Sequence, residues 1–183
     1  MNRKELLESI NENVENKNLV KHMLATEAVM RALAQYLGED DEEWGLTGLL
    51  HDIDVELTEG DMSSHSKLGA DLARELGASE AMAHAILCHN PAHGAPCETR
   101  LDKALLSVDS LTGLITAAAL IRPDKKLAGL KANSVIRRFK EKGFAVGVDR
   151  EQISLCLELG LELNEFIELG LKAMQEVADD LGL

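Results

Sequence analysis

The fold follows from one stretch, residues 46–54, which reads Leu46-Thr47-Gly48-Leu49-Leu50-His51-Asp52-Ile53-Asp54. Its leucines recur at helical spacing and predict a helix over 41–51. The adjacent pair His51-Asp52 therefore lies at the end of that helix or just beyond it. One such pair in a chain with six histidines is weak support for a functional site, so its weight depends on residues elsewhere.

The composition favours helices throughout the chain. Of the 183 residues, 45% are apolar but only 3% are aromatic, so the core must consist mainly of aliphatic side chains. Such a composition favours helix over strand, and the length suits one domain with a sizeable core. We predict an all-α fold, a single domain over residues 1–183 built as a helical bundle or orthogonal array.

The helices predicted from apolar periodicity are separated by short breaks. They cover residues 3–13, 18–37, 41–51, 65–76, 79–89, 100–121, 125–142, 149–159 and 162–181. The stretch from Asn90 to Pro96 predicts a loop, and Gly143 to Val148 predicts an extended connection.

Charge is distributed unevenly along the chain. The formal net charge is −13, which disfavours binding to nucleic-acid polymers and to anionic membranes. Residues 122–150 nevertheless hold nine Lys or Arg against three acidic residues, and residues 151–183 hold eight acidic residues against one Lys. This asymmetry has two interpretations: solvated helix faces that attract each other, or a basic wall beside an anionic substrate.

Cysteine usage and the absence of targeting signals point to one compartment. Cys88, Cys97 and Cys156 show no CxxC spacing, and the N-terminus has no apolar segment typical of a signal peptide. We therefore expect a cytoplasmic protein. No run of about 18 apolar residues occurs, so we expect no membrane span. The oligomeric state stays open.

Two polar residues outside the opening stretch fall on apolar helix faces. His22 shares a face with Leu19, Ala25 and Val29, so it is either a satisfied core histidine or a ligand that reaches a buried site. Asp109 lies in an otherwise apolar to weakly polar stretch, where an unpaired carboxylate would cost several kcal/mol. It therefore requires a partner such as a cation.

Four side chains from three predicted helices form a candidate metal site. His22, His51, Asp52 and Asp109 offer two imidazoles and two carboxylates, a set that suits Zn, Fe, Mn, Co or Ni rather than Ca. A metal ion makes bound water nucleophilic at neutral pH and neutralises charge on a phosphoryl oxygen. The sequence thus predicts a divalent transition metal as cofactor.

Further histidines bear on the number of ions. His65 and His89 could hold a second ion if Asp52 bridged the two, so we expect one or two ions. His84 stands about 140° round its helix from His89, and the two cannot easily meet one ion. His93, in the Pro-flanked loop, has the character of a surface histidine.

The order His22, His51-Asp52, Asp109 resembles the HD-domain superfamily of metal-dependent phosphohydrolases, in which residues at these positions bind metal. The resemblance spans about residues 18–121, a metal-binding core, with residues 122–183 as a C-terminal helical extension. It implies an all-helical fold, a cleft where helix ends converge, and chemistry on nucleotides or other phosphate esters.

Within that superfamily, His65 and the run 85–89 look like a branch with two additional histidines and a binuclear iron or manganese centre, which includes diadenosine tetraphosphate hydrolases. The runs 110–115 and 134–148 are similar to uncharacterised bacterial HD-domain proteins.

Two positions depart from the common His-Asp-Ile-Gly pattern of that superfamily. Asp54 stands where Gly is common, and Val55 stands where cyclic-dinucleotide phosphodiesterases often carry Lys. No Gly-Tyr-Pro motif follows, so cyclic di-GMP hydrolysis is disfavoured. Asp54 is then either a proton acceptor near the metal-bound water or a helix-capping or surface residue.

The sequence therefore predicts a metal-dependent phosphohydrolase that acts on a small phosphate ester or nucleotide. Asp52 and Asp54 are its candidate catalytic residues, and Lys67, Lys103 and Arg122 are candidate phosphate contacts. One alternative is a non-catalytic module that senses a nucleotide or a metal. Another is a helical scaffold with incidental histidines.

Overall fold

Polar side chains fix where several helices begin. The first-turn N–H groups of a helix have no partner within the helix. In four helices they donate to a side chain that directly precedes the helix: Asn16, Asp40, Ser79 or Thr99.

The computed structural model describes residues 2–183, and no β-strand occurs within them. Its α-helices are α1 (Arg3–Asn13), α2 (Lys17–Leu37), α3 (Asp41–Leu50), α4 (Lys67–Glu75), α5 (Glu80–Cys88), α6 (Arg100–Leu120), α7 (Ala132–Lys140), α8 (Arg150–Ser154), α9 (Leu163–Glu176) and α10 (Ala178–Leu181), with 3-10 helices at Pro91–His93 and Leu155–Leu159.

The all-α prediction is confirmed, but the C-terminal third departs from the predicted helix bounds. The helix expected over 125–142 begins only at Ala132, because Lys125 adopts a left-handed conformation (φ 51°) and the Gly129 carbonyl accepts from Arg122 at 2.9 Å. The helix expected over 149–159 changes to 3-10 geometry at Leu155, and the one expected over 162–181 is interrupted at Val177.

Residues 143–148, expected to be extended, form turns around one arginine instead. The Arg150 guanidinium donates to the carbonyl of Ala145 at 2.7 Å and to that of Val148 at 2.8 Å. These hydrogen bonds satisfy loop carbonyls that have no helical partner. Arg150 thereby fixes a loop that borders the cleft described below.

Helices α2, α3 and α6 form the centre of the fold. The first two approach so closely that a Cβ atom at Gly48 would lie 3.0 Å from the Glu27 backbone nitrogen and 3.0 Å from Met30 Cγ. Helix α6 packs against both and buries Leu105, Leu111 and other apolar side chains completely. This packing holds the C-terminal end of α3 against the inner faces of α2 and α6.

Helix α6 also bears on the expectation of no membrane span. Among the described residues it is the one helix long and apolar enough to cross a membrane by length and composition, and 61% of its apolar window is buried inside the fold. A buried core helix passes the same test. The expectation stays a prediction.

Candidate metal centre

The imidazole of His51 lies at the C-terminal end of α3 and is fully buried. Its Nε2 atom lies 3.2 Å from Nε2 of His22, 3.3 Å from Oδ2 of Asp52 and 3.8 Å from Oδ1 of Asp109. The His22 ring comes from α2 and the Asp109 carboxylate from α6. Nε2 of His22 lies 2.9 Å from Oδ1 of Asp109. Three helices therefore bring the four predicted side chains together.

The carboxylate of Asp52 lies between two pairs of histidines. Its Oδ2 atom lies 3.3 Å from Nε2 of His51 and 3.6 Å from Nε2 of His22. Its Oδ1 atom lies 3.3 Å from Nε2 of His89 and 3.6 Å from Nε2 of His65. Each oxygen of one carboxylate thus faces a different pair of imidazoles.

The Nδ1 atoms of these rings face away from the centre and have their own partners. That of His51 lies 2.8 Å from the Gly48 carbonyl, and that of His89 lies 2.5 Å from the Ile86 carbonyl. Because a carbonyl only accepts, each Nδ1 must carry the proton, and in the neutral ring Nε2 keeps a lone pair directed at the centre. Such outer hydrogen bonds commonly orient histidines that bind metals.

The other two rings are held by side chains. Nδ1 of His65 lies 2.9 Å from Oδ1 of Asp54, and Nδ1 of His22 lies 3.4 Å from the Thr112 hydroxyl. Sequence analysis missed Thr112, whose only indication was its position three residues after Asp109 on a buried helix face.

Asp54 has contacts that suit a cap rather than a proton acceptor. Its carboxylate is fully buried, and Oδ2 accepts from the backbone N–H groups of Ser66 at 2.7 Å and Gly69 at 2.8 Å. Oδ1 is occupied by His65. Asp54 therefore caps the start of α4 and positions the His65 ring, and it is not among the residues that line the cleft described below. These contacts favour the helix-capping alternative, and the role of proton acceptor stays a prediction.

Electrostatics within the cluster perturb several groups. Burial lowers the pKa of His51, but the carboxylates of Asp52 and Asp109 outweigh burial and raise this pKa to about 9. Burial raises the pKa of Asp52, but the imidazoles of His51 and His89 hold it well below its ordinary value. The cluster therefore favours positive charge at its centre.

A cleft of about 430 Å³ opens over the centre. Its lining includes His22, Asp52, His65, His89 and Asp109. Residues of the C-terminal extension also contribute, among them Gly147, Val148, Asp149 and Gln152. Among the described residues that line the cleft, none is Lys or Arg. The extension therefore forms one wall of the cleft, which the sequence division at residue 121 did not anticipate.

The three predicted phosphate contacts lie outside this lining. Lys103 forms an ion pair with Glu158 at 2.8 Å, and Arg122 forms one with Asp124 at 2.9 Å. Lys67 lies at the exposed start of α4. Proximity in sequence was the sole basis for these assignments, and the structure corrects them.

Asn90 is a positioning residue that sequence analysis left within a loop. Its amide is buried and donates to the carbonyl of Met62 at 2.8 Å and to that of His65 at 3.1 Å. His93 accompanies it, with Nε2 lying 2.5 Å from the same His65 carbonyl. These bonds tie the segment before α4 to the end of α5, which keeps His65 and His89 side by side.

The arrangement fits a metal ion in its donor chemistry. The donor atoms of His22, His51 and Asp109 lie within 4.8 Å of one another, as do those of His51, Asp52 and His89. Imidazole and carboxylate donors converge, and the four rings have their Nδ1 atoms held from outside, as in protein sites for transition ions. His65 joins the cluster through Asp52, whereas His84 lies elsewhere, against Asp102.

Comparison with known proteins agrees with this geometry. The sequence matches the profile of the HD domain over residues 19–126. It is similar to Ribonuclease Y of Oleidesulfovibrio alaskensis, with 27% identity over 165 residues that cover 90% of this chain and 29% of that protein. Ribonuclease Y of Lawsonia intracellularis is 32% identical over 104 residues, 57% of this chain and 20% of the relative.

A third relative covers a similar share of the chain to the first. Ribonuclease Y of Thermobifida fusca is 28% identical over 155 residues, 83% of this chain and 28% of that protein. The chain spans less than a third of the length of these relatives. No solved structure matches the chain.

Proposed function

Because the chain belongs to the HD-domain family, we propose that it is a metal-dependent phosphohydrolase with a binuclear centre. The observation that carries this proposal is the position of Asp52, whose two oxygens face two different histidine pairs. Under the proposal, His22, His51 and Asp109 hold one ion, His65 and His89 hold the other, and Asp52 bridges both. Fe, Mn, Zn, Co and Ni all suit these donors.

The charge of the cleft supports a requirement for metal. Asp52, Asp109 and Asp149 line it, and none of its described lining residues is Lys or Arg. An anionic phosphate would be repelled from such a surface without added positive charge. Divalent ions at the centre would supply that charge, activate water as a nucleophile and polarise the phosphoryl group.

The protein's own residues set the geometry for that chemistry. The carbonyls of Gly48 and Ile86 fix the rings of His51 and His89, and Asp54 fixes that of His65. Because each fixed ring points its Nε2 atom inward, the donors are oriented before any ion binds. Metal binding would displace the proton that the raised pKa keeps on His51. Preorganisation of this kind favours tight binding and a defined position for the substrate phosphate.

The first substrate class is a small phosphate ester or nucleotide, which suits a cleft of about 430 Å³. The alternative to turnover is a sensor that binds metal or nucleotide without cleaving it. Metal-free protein supplied with Mn, Fe or Co should hydrolyse generic phosphomonoesters, phosphodiesters or nucleotides. Thermal stabilisation by nucleotides with no product in any of these assays would favour the sensor.

A second substrate class is an RNA phosphodiester. The similar proteins carry the name Ribonuclease Y, so they do not support the expectation, drawn from net charge, that no nucleic-acid polymer is bound. A shallow pocket lined by Lys140, Lys142 and Arg150 adjoins the cleft, and Val148 lines both. Arg150 is engaged with loop carbonyls, whereas the two lysines are exposed and could contact a neighbouring phosphate.

Product analysis on a short RNA oligonucleotide, alongside mononucleotides and a phosphodiester chromophore, separates the two substrate classes. Cleavage of RNA with low activity on mononucleotides would favour the second class. Cleavage restricted to mononucleotides or small esters would favour the first.

A further inference from the structure

A second group of metal-binding side chains lies between α5 and α6, outside the centre described above. A ring nitrogen of His84, the thiol of Cys88 and a carboxylate oxygen of Asp102 lie within 4.8 Å of one another. His84 and Cys88 are four residues apart on α5 and therefore share a helix face. Asp102 comes from the first turn of α6, so the group joins two helices.

The Asp102 carboxylate is fully buried and uses its two oxygens differently. Oδ2 accepts from the backbone N–H groups of Glu98 at 3.1 Å and Thr99 at 2.9 Å, which completes the cap of α6. Oδ1 faces Nδ1 of His84 at 3.1 Å. Capping of α6 therefore accounts for Oδ2. Oδ1 is a buried carboxylate oxygen that faces His84 and lies near the thiol of Cys88.

The thiol of Cys88 is not built as a nucleophile. It is 2% exposed, and its Sγ atom lies 3.6 Å from the Ala85 carbonyl and close to His84 and Asp102. Reactive cysteines are partly exposed and lie beside positive charge. A buried thiol beside an imidazole and a carboxylate is instead suited to binding a metal ion, because the metal displaces the thiol proton when it binds the sulfur.

We propose that His84, Cys88 and Asp102 bind a thiophilic divalent ion, with zinc as the preferred metal. Sulfur, imidazole nitrogen and carboxylate oxygen are the donors that zinc takes in tetrahedral sites. The His84 side chain is 39% exposed, so a water molecule can reach the fourth position. Cys97 donates to the Cys88 carbonyl at 3.3 Å and positions that segment without ligating the ion.

Such an ion would connect the end of α5 to the start of α6. The intervening residues 89–99 include His89 and Asn90, both of which line the cleft. A metal link at their base would stabilise this segment, independently of whether the cleft is catalytic. The proposal therefore does not depend on the proposed function.

Cobalt substitution tests the site through its sulfur ligand. Metal-free protein, kept reduced with a phosphine, is titrated with Co(II) while absorbance is recorded in the near ultraviolet, where thiolate-to-cobalt charge transfer absorbs. The His51-Asp52 centre contains no sulfur and gives no such band. The full chain should develop the band, Cys88→Ala should abolish it, and His84→Gln should weaken cobalt binding at this site about ten-fold or more.

Two cysteine variants serve as controls. Cys156→Ala, in the core at the 3-10 helix, and Cys97→Ala should retain the band. Because Cys88 adjoins His89, the folding of the Cys88→Ala variant is checked by circular dichroism. His84→Gln replaces a half-exposed side chain, so its cobalt affinity tests the site independently. A wild-type protein without the band, a band that survives Cys88→Ala, or a band lost only in Cys97→Ala or Cys156→Ala would each overturn the proposal.

Discussion

The Asp54 carboxylate and the His65 ring lie 2.9 Å apart between Oδ1 and Nδ1, in a contact that is buried on both sides. The contact keeps a proton on Nδ1 of His65 and leaves Nε2 free to face Asp52. It also connects the cap of α4 to the centre, since the other oxygen of Asp54 binds the backbone of that helix. Of the roles expected for Asp54, these contacts favour the helix cap, and they also orient a candidate metal ligand.

Asp54→Asn should selectively weaken binding of the second ion, the one assigned to His65 and His89. The amide oxygen would take over the bonds to the backbone N–H groups, and the amide nitrogen would then donate to Nδ1 of His65. The ring proton would move to Nε2, which could no longer bind metal. We expect second-ion affinity to fall about 10- to 100-fold, measured by metal analysis after dialysis at graded metal concentrations. Two tightly held ions with lost hydrolysis would instead restore Asp54 as a proton acceptor.

Gly48→Ala should destabilise the fold by about 1–3 kcal/mol. The added Cβ would lie 3.0 Å from backbone of α2 and would separate the helices that carry His22 and His51. Urea unfolding measures the loss. Gly143→Ala is the matched control, since a Cβ there meets no atom within 4 Å; equal stability of the two variants would show that the close approach of α2 and α3 is unimportant.

Asn90→Ala should lower both stability and second-ion affinity. Its amide donates to the carbonyls of Met62 and His65, and loss of buried hydrogen bonds costs about 1–3 kcal/mol. Asn11→Ala is the control, because the Asn11 amide bonds the Leu7 carbonyl in an exposed position and its loss should change stability by less than about 0.5 kcal/mol. Unchanged metal content in Asn90→Ala would contradict the positioning role.

Lys140→Ala combined with Lys142→Ala tests whether the pocket beside the cleft binds RNA. If RNA is the substrate, the double variant should raise KM for an oligonucleotide, leave kcat nearly unchanged and reduce the salt dependence of KM. Lys172→Ala, exposed on α9 away from the cleft, should have no effect. Equal KM values for the double variant and wild type would exclude this pocket from RNA binding.

Apolar periodicity was sufficient to predict the helical class and the apolar surroundings of His22 and Asp109, because it sets which face of a helix is buried. The convergence of these two residues with His51 and Asp52 was instead implied by the resemblance to the HD-domain superfamily. The sequence left the role of Asp54 open between a proton acceptor and a helix-capping or surface residue, because its partners Ser66 and Gly69 approach it only in the folded chain. The same limit applies to the cleft wall at Val148 and Gln152, which depends on the loop held by Arg150.

Replacement of Asp52 tests the proposed binuclear centre most directly, because in the described part of the chain this carboxylate is the one group that faces both histidine pairs. Wild-type protein loaded with Mn(II) should bind two ions per chain and give the electron paramagnetic resonance spectrum of a magnetically coupled pair, together with phosphoester hydrolysis. In Asp52→Asn the coupling and the hydrolysis should both be lost. A wild-type protein that binds a single ion, or two uncoupled ions, at saturating Mn(II) would contradict the binuclear centre.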